Sequence, residues 1–551
     1  MKKTKNHPYI PELRDLLEKG QVTRREFMRY ATLLGMSAGV ASLTAGLYQP
    51  KRAIASSINR GGTIKVASAV QKIKHPAQMD GTIQSNFYRQ MCEYLTFTDS
   101  NNVTHPYLLE NWEASEDLKT WTLNIRKGVT FNNGDEFTAD DVVFTIKEWL
   151  NEDVGSSLFG MVGDYLSPSG IEKVNKYQIK LHLKRKEIAL PEHFFHYPAV
   201  IVNHRTFEGD FVQIPHGTGP FSLEKYIPGE ICIMKRRSDY WRNGVDGKSL
   251  PYADGIEYVN MGREAAAQVA ALQAGDIHVI DMTWASEVAI YQALRDDPMA
   301  NVQGLASGGT RVIRMRSDLK PWSDNRVRMA LKHCQQREKL LALAYFGEGV
   351  VSVDTHVSPM HPEYCTKPIP KYDPQKAKEL LKQAGYPNGL DVTMTVGSGW
   401  SDIVRAAEVL KEDSAPAGLR INIESVTSSQ YWDKWTEVPL GITTWSHRPL
   451  GTMVLNLAYS TDENGKPVRW NETKWVDKEF NKLLREANGT LDVEERRKIF
   501  CKLEDIQMTR GSIAIPFFKN IWLVTSKKLK NMKAHPSNYL SFDRAWFDEK
   551  A

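Results

Sequence analysis

Few side chains in this sequence stand at spacings that chemistry would use. His193 and His196 lie three apart in Glu192-His-Phe-Phe-His, which puts two imidazoles on one face of a helical turn where a metal ion could bridge them. Phe194 and Phe195 between them fit a packed aromatic stretch better. His356 and His361 flank Pro359 and read as loop histidines. Gly397-Ser398-Gly399 follows a strand-like run, and its backbone N–H groups could receive an anion, although a plain turn has the same composition. No H-E-x-x-H, G-x-x-x-x-G-K-[ST], G-x-G-x-x-G or G-x-S-x-G pattern occurs. The carboxylates are too dispersed for a glycosidase pair to be singled out. The five cysteines, Cys92, Cys232, Cys334, Cys365 and Cys501, contain no C-x-x-C pair, so neither a zinc ribbon nor a thioredoxin-type site is written here. What stands out is aromatic content: six of the 14 tryptophans fall between 400 and 475, namely Trp400, Trp432, Trp435, Trp445, Trp470 and Trp475. Large aromatics bury much area at low side-chain entropy and wall ligand pockets, although core packing claims part of such a set. Binding without a cofactor, rather than catalysis, is the expectation.

The elements that must position these residues follow α/β grammar. Gly61–Ala67 alternates as a first strand, and Trp121–Ile125 as another. Thr138 caps a helix whose Val142, Val143, Ile146 and Trp149 share a face. Glu264–Ala274 is a helix stopped by Gly275, with a strand expected over Asp276–Ile280. Asp373-Pro374 opens a helix that ends at Gly385, ahead of a strand over Asp391–Val396. A helix over Asp402–Asp413, a strand over Arg420–Val426 and a helix from Asp492 to Gly511 complete the series. No repeat, low-complexity stretch or Pro/Ser-rich linker divides the chain, which favours lobes that pack together.

A length of 551 residues, 41% hydrophobic and 25% charged, is that of several globular domains. The formal charge of +5 comes without a basic block, which excludes a nucleic-acid footprint. The N-terminus carries all of the positive excess. Residues 1–55 hold 10 of the 71 Lys+Arg and 4 of the 66 Asp+Glu, leaving 61 bases against 62 acids. Within that stretch Thr23-Arg24-Arg25-Glu26-Phe27-Met28 precedes an uncharged run, Tyr30–Leu47, and then Lys51-Arg52 and Ala53-Ile54-Ala55. Charged region, apolar region and small-residue site follow the order of an export signal. The paired Arg24 and Arg25 resemble a twin-arginine (Tat) signal, which implies passage through the Tat translocase and cleavage near Ala55. A retained N-terminal anchor is the alternative. Export into an oxidising compartment leaves room for one or two disulfides, with pairing not readable from sequence.

Seven stretches in order then resemble the peptide/nickel-type family 5 solute-binding proteins of ABC importers. They are Pro106–Asp135 with Phe137–Phe144, Gly217–Phe221, Asp239–Trp241, Leu272–Ile277, Pro321–Leu331, Tyr372–Tyr386 and Glu494–Phe500. The resemblance implies an α/β, two-lobed periplasmic-binding-protein fold with an extra subdomain and a ligand cleft between the lobes. It would divide the chain into a signal at 1–55, lobe I at 56–310 with its subdomain near 88–215, lobe II at 311–514 and a return to lobe I at 515–551. It implies a monomeric periplasmic receptor that closes on an oligopeptide or related solute and delivers it to ABC permease subunits in the inner membrane. Peptide-binding relatives carry an acidic residue shortly after a Trp to meet the peptide's ammonium. Here that stretch reads Trp445-Ser446-His447-Arg448-Pro449-Leu450-Gly451. His447 and Arg448 would therefore favour a carboxylate, phosphate or hydroxyl-rich ligand, unless Arg448 points to solvent and a carboxylate such as Asp433 substitutes. Trp400, Trp432 and Trp445 are expected as pocket walls, faced from the other lobe by His75–Asp80 and Asn86.

Overall fold

The computed structural model describes residues 7–47, 58–72, 75–79, 81–462 and 464–548. Ala55 and Asp80 lie outside these. Two compact units emerge, one running to Gly304 and resuming at Trp522, the other spanning Leu305–Ile521. The chain passes between them at 304/305 and 521/522, against an expectation of 310/311 and 514/515. Both passages fall inside strands, Ala300–Met315 and Phe517–Ser526.

In the first unit the strand Thr63–Ala67 runs parallel to Gly255–Val259 on one side and to Val279–Ile280 on the other. Ile231–Arg236 and Phe221–Ile227 extend the sheet antiparallel beyond Gly255–Val259, while Val524 and Thr525 close the other side against Ile280 and Val279. A separate four-stranded antiparallel sheet joins Leu109–Ala114, Thr120–Ile125, Gln178–His182 and Ile171–Asn175 in that order. Helix Ala139–Leu150 starts where Thr138 caps it, with Asp141 answering the Thr138 N–H at 2.8 Å. Its buried Val142, Ile146 and Trp149 form one face. The strand expected over Asp276–Ile280 shortens to Val279–Ile280. Gly275 takes a left-handed φ of 81°, and the N–H groups of Asp276 and Ile277 turn back to the carbonyl of Ala271, so both residues finish the preceding helix instead.

The apolar run Tyr30–Leu47 breaks into two pieces, the end of helix Arg24–Leu33 and helix Ala38–Thr44. Gly35 at φ 90° and the Ser37 cap separate them. No described helix is long and apolar enough to cross a membrane.

Asn86, on helix Thr82–Met91, is fully buried. Its Nδ2 donates to the Asn538 carbonyl at 3.1 Å and its Oδ1 accepts from the Leu540 N–H at 3.1 Å. The amide thus fastens the C-terminal return segment. Asn86→Ala leaves two buried backbone groups unanswered and is expected to cost about 1–3 kcal/mol of stability in urea unfolding; an unchanged midpoint would contradict the fastening role.

In the second unit Leu390–Gly397 pairs parallel with Leu419–Val426 and, at Thr395, with Gly441 of Leu440–Trp445. Leu440–Trp445 pairs antiparallel with Thr310–Met315, setting Arg311 opposite Thr444 and Val312 opposite Thr443. Helices Pro374–Gln383, Ser401–Ser414 and Val493–Arg510 flank these strands in sequence; Asp373 and Asp492 cap the first and last through the N–H groups of Lys376 and Glu495.

Candidate functional site

The loop after strand Leu440–Trp445 comes off the sheet beside the glycine pair of the neighbouring strand. Gly308 donates its N–H to His447 Nδ1 at 2.9 Å. A Cβ at Gly308 would lie 2.9 Å from that nitrogen and 3.3 Å from His361 Nε2, so only glycine admits both imidazoles. His361 accepts from the Ser358 N–H at Nδ1 (3.0 Å), which leaves its proton on Nε2, 2.9 Å from the Arg448 carbonyl. The His361 and His447 rings stand 6.2 Å apart. His356 lies within hydrogen-bond distance of the Tyr459 hydroxyl (2.6 Å) and packs edge-on against Trp445 at 5.3 Å. Burial holds its imidazole well below its usual range, helped by His361 and Arg448. His356 and His361 do stand in a loop, as the sequence reads, but they are buried, at 1% and 3% exposure, with ring nitrogens engaged inside the protein. Arg448 does not point to solvent; it is buried, and its Nη1 donates to the carbonyls of Ser446 and His447.

Trp445 directs its Nε1–H to Glu472 at 2.8 Å. Glu472 also accepts from Thr443 Oγ1 at 2.6 Å and pairs with Arg314 at 3.2 Å. Burial pushes this carboxyl up against the opposing pull of Arg314. From Trp445 a continuous series of edge-to-face rings runs through Trp470 (5.9 Å), Trp435 (5.8 Å), Trp432 (5.5 Å) and Trp400 (5.8 Å). Trp432 is the exposed member at 40%. Trp400 precedes helix Ser401–Ser414, and a Cβ on Gly397 would strike its ring at 2.4 Å.

In the first turn of that helix Asp402 is buried and accepts from Arg311 Nε at 2.6 Å, while Arg311 also bonds its cross-strand partner Thr444. Burial pushes the Asp402 carboxyl up, but Arg311 and then Lys519 outweigh it and hold it below the ordinary aspartate range. Two cations therefore act on one anion. Asp433, by contrast, is exposed on helix Ser428–Lys434. His193 is buried with Nδ1 2.6 Å from the Tyr165 hydroxyl, and among the described residues no cluster of three or more His, Cys, Asp or Glu could hold a metal.

Five of the expected site residues, Trp400, Trp432, Trp445, His447 and Arg448, thus share the second unit, whereas Asn86 and His75 belong to the first. His75 Nε2 lies 2.8 Å from Glu148. Arg311, Asp402, Lys519 and Gly308 were not singled out from sequence; the Gly308-Gly309 pair inside an otherwise apolar and polar-alternating strand was the one available signal.

Behind the histidine loop a disulfide joins Cys365 to Cys501. Cys365 also donates its N–H to Glu504 Oε1 at 2.9 Å, and burial pushes the Glu504 carboxyl up to about 8. A folded value above the unfolded one means that the folded state holds the proton more tightly. Its stabilising contribution is complete below about 4.5 and is lost as pH rises through 8. Glu504→Gln is expected to flatten stability over that window and to add about 2–4 kcal/mol at pH 8 in guanidinium unfolding; parallel pH profiles for both proteins would contradict this.

The sequence model of the bacterial extracellular solute-binding proteins, family 5 Middle, matches residues 103–466. Di/tripeptide-binding protein 1 of Pseudomonas aeruginosa (strain UCBPP-PA14) is 26% identical over 481 residues, covering 79% of this chain and 84% of that protein. Among solved structures, the periplasmic binding protein DppA from Helicobacter pylori in complex with peptide STSA superimposes with a TM-score of 0.77 at 21% identity, covering 89% of this chain and 99% of its own. The binding protein AgaA from A. tumefaciens R10 in complex with agropinic acid gives 0.78 at 20%, with the same coverages. The fold is that of two-lobed periplasmic binding proteins with mixed α/β sheets.

Proposed function

The chain belongs to the bacterial extracellular solute-binding proteins of family 5, and from that premise we propose that this ABC-importer receptor takes a carboxylate-bearing, peptide-like solute without recognising a free N-terminal ammonium. The observation that carries the reading is the charge balance around Asp402. The loop Trp445–Gly451 supplies no carboxylate; of the buried carboxylates near the tryptophan series, Glu472 is paired with Arg314, and Asp402 is engaged by Arg311 with Lys519 adding a second positive charge. An ammonium enclosed there meets a local excess of one positive charge, whereas a carboxylate finds a cation of its own. Trp400 and Trp432 serve as the apolar walls, His447 and the Gly308 backbone shape the floor, and Arg448 contributes field rather than contact. Ligand biases the receptor from open to closed by binding the closed state better, and no covalent step is involved. The relatives named above are binding proteins. Export through the Tat translocase, cleavage near Ala55 and delivery as a monomer to permease subunits complete the proposed cycle.

Calorimetry on a matched panel tests the ligand class, with tryptophan emission as a second readout. N-acetylation of a di- or tripeptide is expected to change Kd by less than about 3-fold, and C-terminal amidation to weaken it by about 100-fold or more. The opposite ranking would overturn the proposed ligand class.

A further inference from the structure

The N-terminal residues that read as an export signal are folded against the body of the first unit. Helix Arg24–Leu33 opens with a complete capping box, Thr23 with Glu26, and then buries seven consecutive residues, Phe27 to Leu33. A membrane-directed segment would bury only apolar groups, yet here three polar groups bond to the body of the unit. Arg29 donates from Nε to the Asn101 carbonyl at 3.0 Å. Trp112 returns a hydrogen bond from Nε1 to the Leu33 carbonyl at 2.9 Å. His7 accepts from the Tyr9 N–H at Nδ1 and so donates from Nε2 to the Ser115 carbonyl at 3.2 Å. At the end of the helix Gly35, at φ 90°, sits so close that a Cβ would come 2.5 Å from the Trp112 carbonyl oxygen. The positive charge of Arg29 also acts on buried Glu192, which accepts from Thr98 at 2.7 Å and from Thr104. Arg24 and Arg25, at the start of the helix, stay exposed, whereas Arg29 one turn on is buried.

We propose that residues 7–47 are an intramolecular latch: in the full-length chain the segment following the paired arginines is docked on the 98–115 edge of the first unit, and the export machinery must undock Phe27–Leu34 before it can engage them. The docking half stands on the contacts alone. The gating half rests on the reading of Arg24-Arg25 as an export signal. Docking and translocase binding then compete for the same residues, so tightening one weakens the other by the same factor.

Hydrogen–deuterium exchange on the purified full-length chain reads the docking. A free ten-residue helix is marginal in water, so protection of its amides reports packing rather than helix propensity. The amides of Phe27–Leu34 are expected to exchange about 100-fold or more slower than unstructured chain. Gly35→Val, which adds a side chain where the Trp112 carbonyl lies, should raise their rate by about 10-fold or more. Trp112→Phe, which removes the donor and leaves a smaller aromatic ring, should do so by a smaller factor, and near-UV circular dichroism shows that the body of each variant remains folded. Pulse-chase export is expected to be faster in both variants, by about 3-fold or more for Gly35→Val. Unprotected amides in the unaltered chain would overturn the latch outright. Protection with export rates unmoved by either variant would overturn the gating. Undiminished export of an Arg24→Lys/Arg25→Lys chain would overturn the signal reading on which gating rests, while the exchange result decides docking by itself.

Discussion

Replacing Arg311 by alanine is expected to destabilise the Leu305–Ile521 unit by about 3–5 kcal/mol and to cancel the local excess of positive charge that favours an anionic ligand. Arg311 and Asp402 are both nearly inaccessible, at 2% and 4% exposure, and their contact is 2.6 Å. Removing the guanidinium leaves a buried carboxylate with Lys519 as the remaining cation acting on it. Burial then pushes its protonation upward, since the larger of the two opposing attractions has gone. Urea unfolding followed by tryptophan emission measures the loss. The double variant Arg311→Ala/Asp402→Ala should recover most of it, because a buried pair replaced as a pair is close to neutral. A double variant as unstable as the single one would show that packing of the arginine stem, not the uncompensated charge, sets the cost. In calorimetry the single variant should gain affinity for peptides with a free amine and lose it for ligands carrying only a carboxylate. Unchanged selectivity would remove the charge balance at Asp402 as the determinant.

Loss of the Cys365–Cys501 disulfide is expected to lower stability by about 3–5 kcal/mol. The bond spans a sequence separation of 136, and the chain-entropy relation for a loop of that size gives about 5 kcal/mol as the full constraint on the unfolded chain. Its position adds a local effect. Cys365 lies in the loop that carries His356, His361 and Glu363, and Cys501 sits on helix Val493–Arg510, so the bond ties the histidine loop to that helix. The Lys367–Asp505 pair at 2.8 Å is the ionic contact beside it, and an exposed partner makes it a weak substitute. Cys365→Ser/Cys501→Ser should therefore loosen the loop as well as lower the unfolding midpoint. Thiol titration in guanidinium checks the pairing directly: three thiols, Cys92, Cys232 and Cys334, before reduction and all five after. Burial pushes the Cys232 and Cys334 thiols up to about 12, so the folded protein should react slowly or not at all. A midpoint indifferent to reduction would contradict the tether.

The histidines show why part of the site escaped the sequence. His356 and His361 were visible as residues, but the partners of their ring nitrogens, the Tyr459 hydroxyl for His356 and the Arg448 carbonyl for His361, lie 103 and 87 positions away. The tryptophans were conspicuous by density, and four of the five in the continuous ring series were drawn from a stretch of 46 residues, Trp400–Trp445, close enough in sequence for clustering to be read. The departure from the peptide-binding pattern at Ser446-His447-Arg448 was also plain in sequence, yet the cations that act on Asp402 are Arg311 and Lys519 rather than the two residues that departed.

The sequence by itself determined what is local or what recurs along the chain. Caps such as Thr138, Asp373 and Asp492, stops such as Gly275, the layered α/β grammar and the ordered stretches shared with family 5 all depend on residues within a few positions of one another. Tertiary structure alone decided which charges meet, which cysteines pair and what covers the N-terminal arginines' neighbours. Arg311 reaches Asp402 across 91 positions because antiparallel register sets Arg311 opposite Thr444 while a helix start brings Asp402 up beside it. Such a contact is fixed by strand register and burial together, and a one-residue slip of the strand would turn Arg311 to the other face of the sheet.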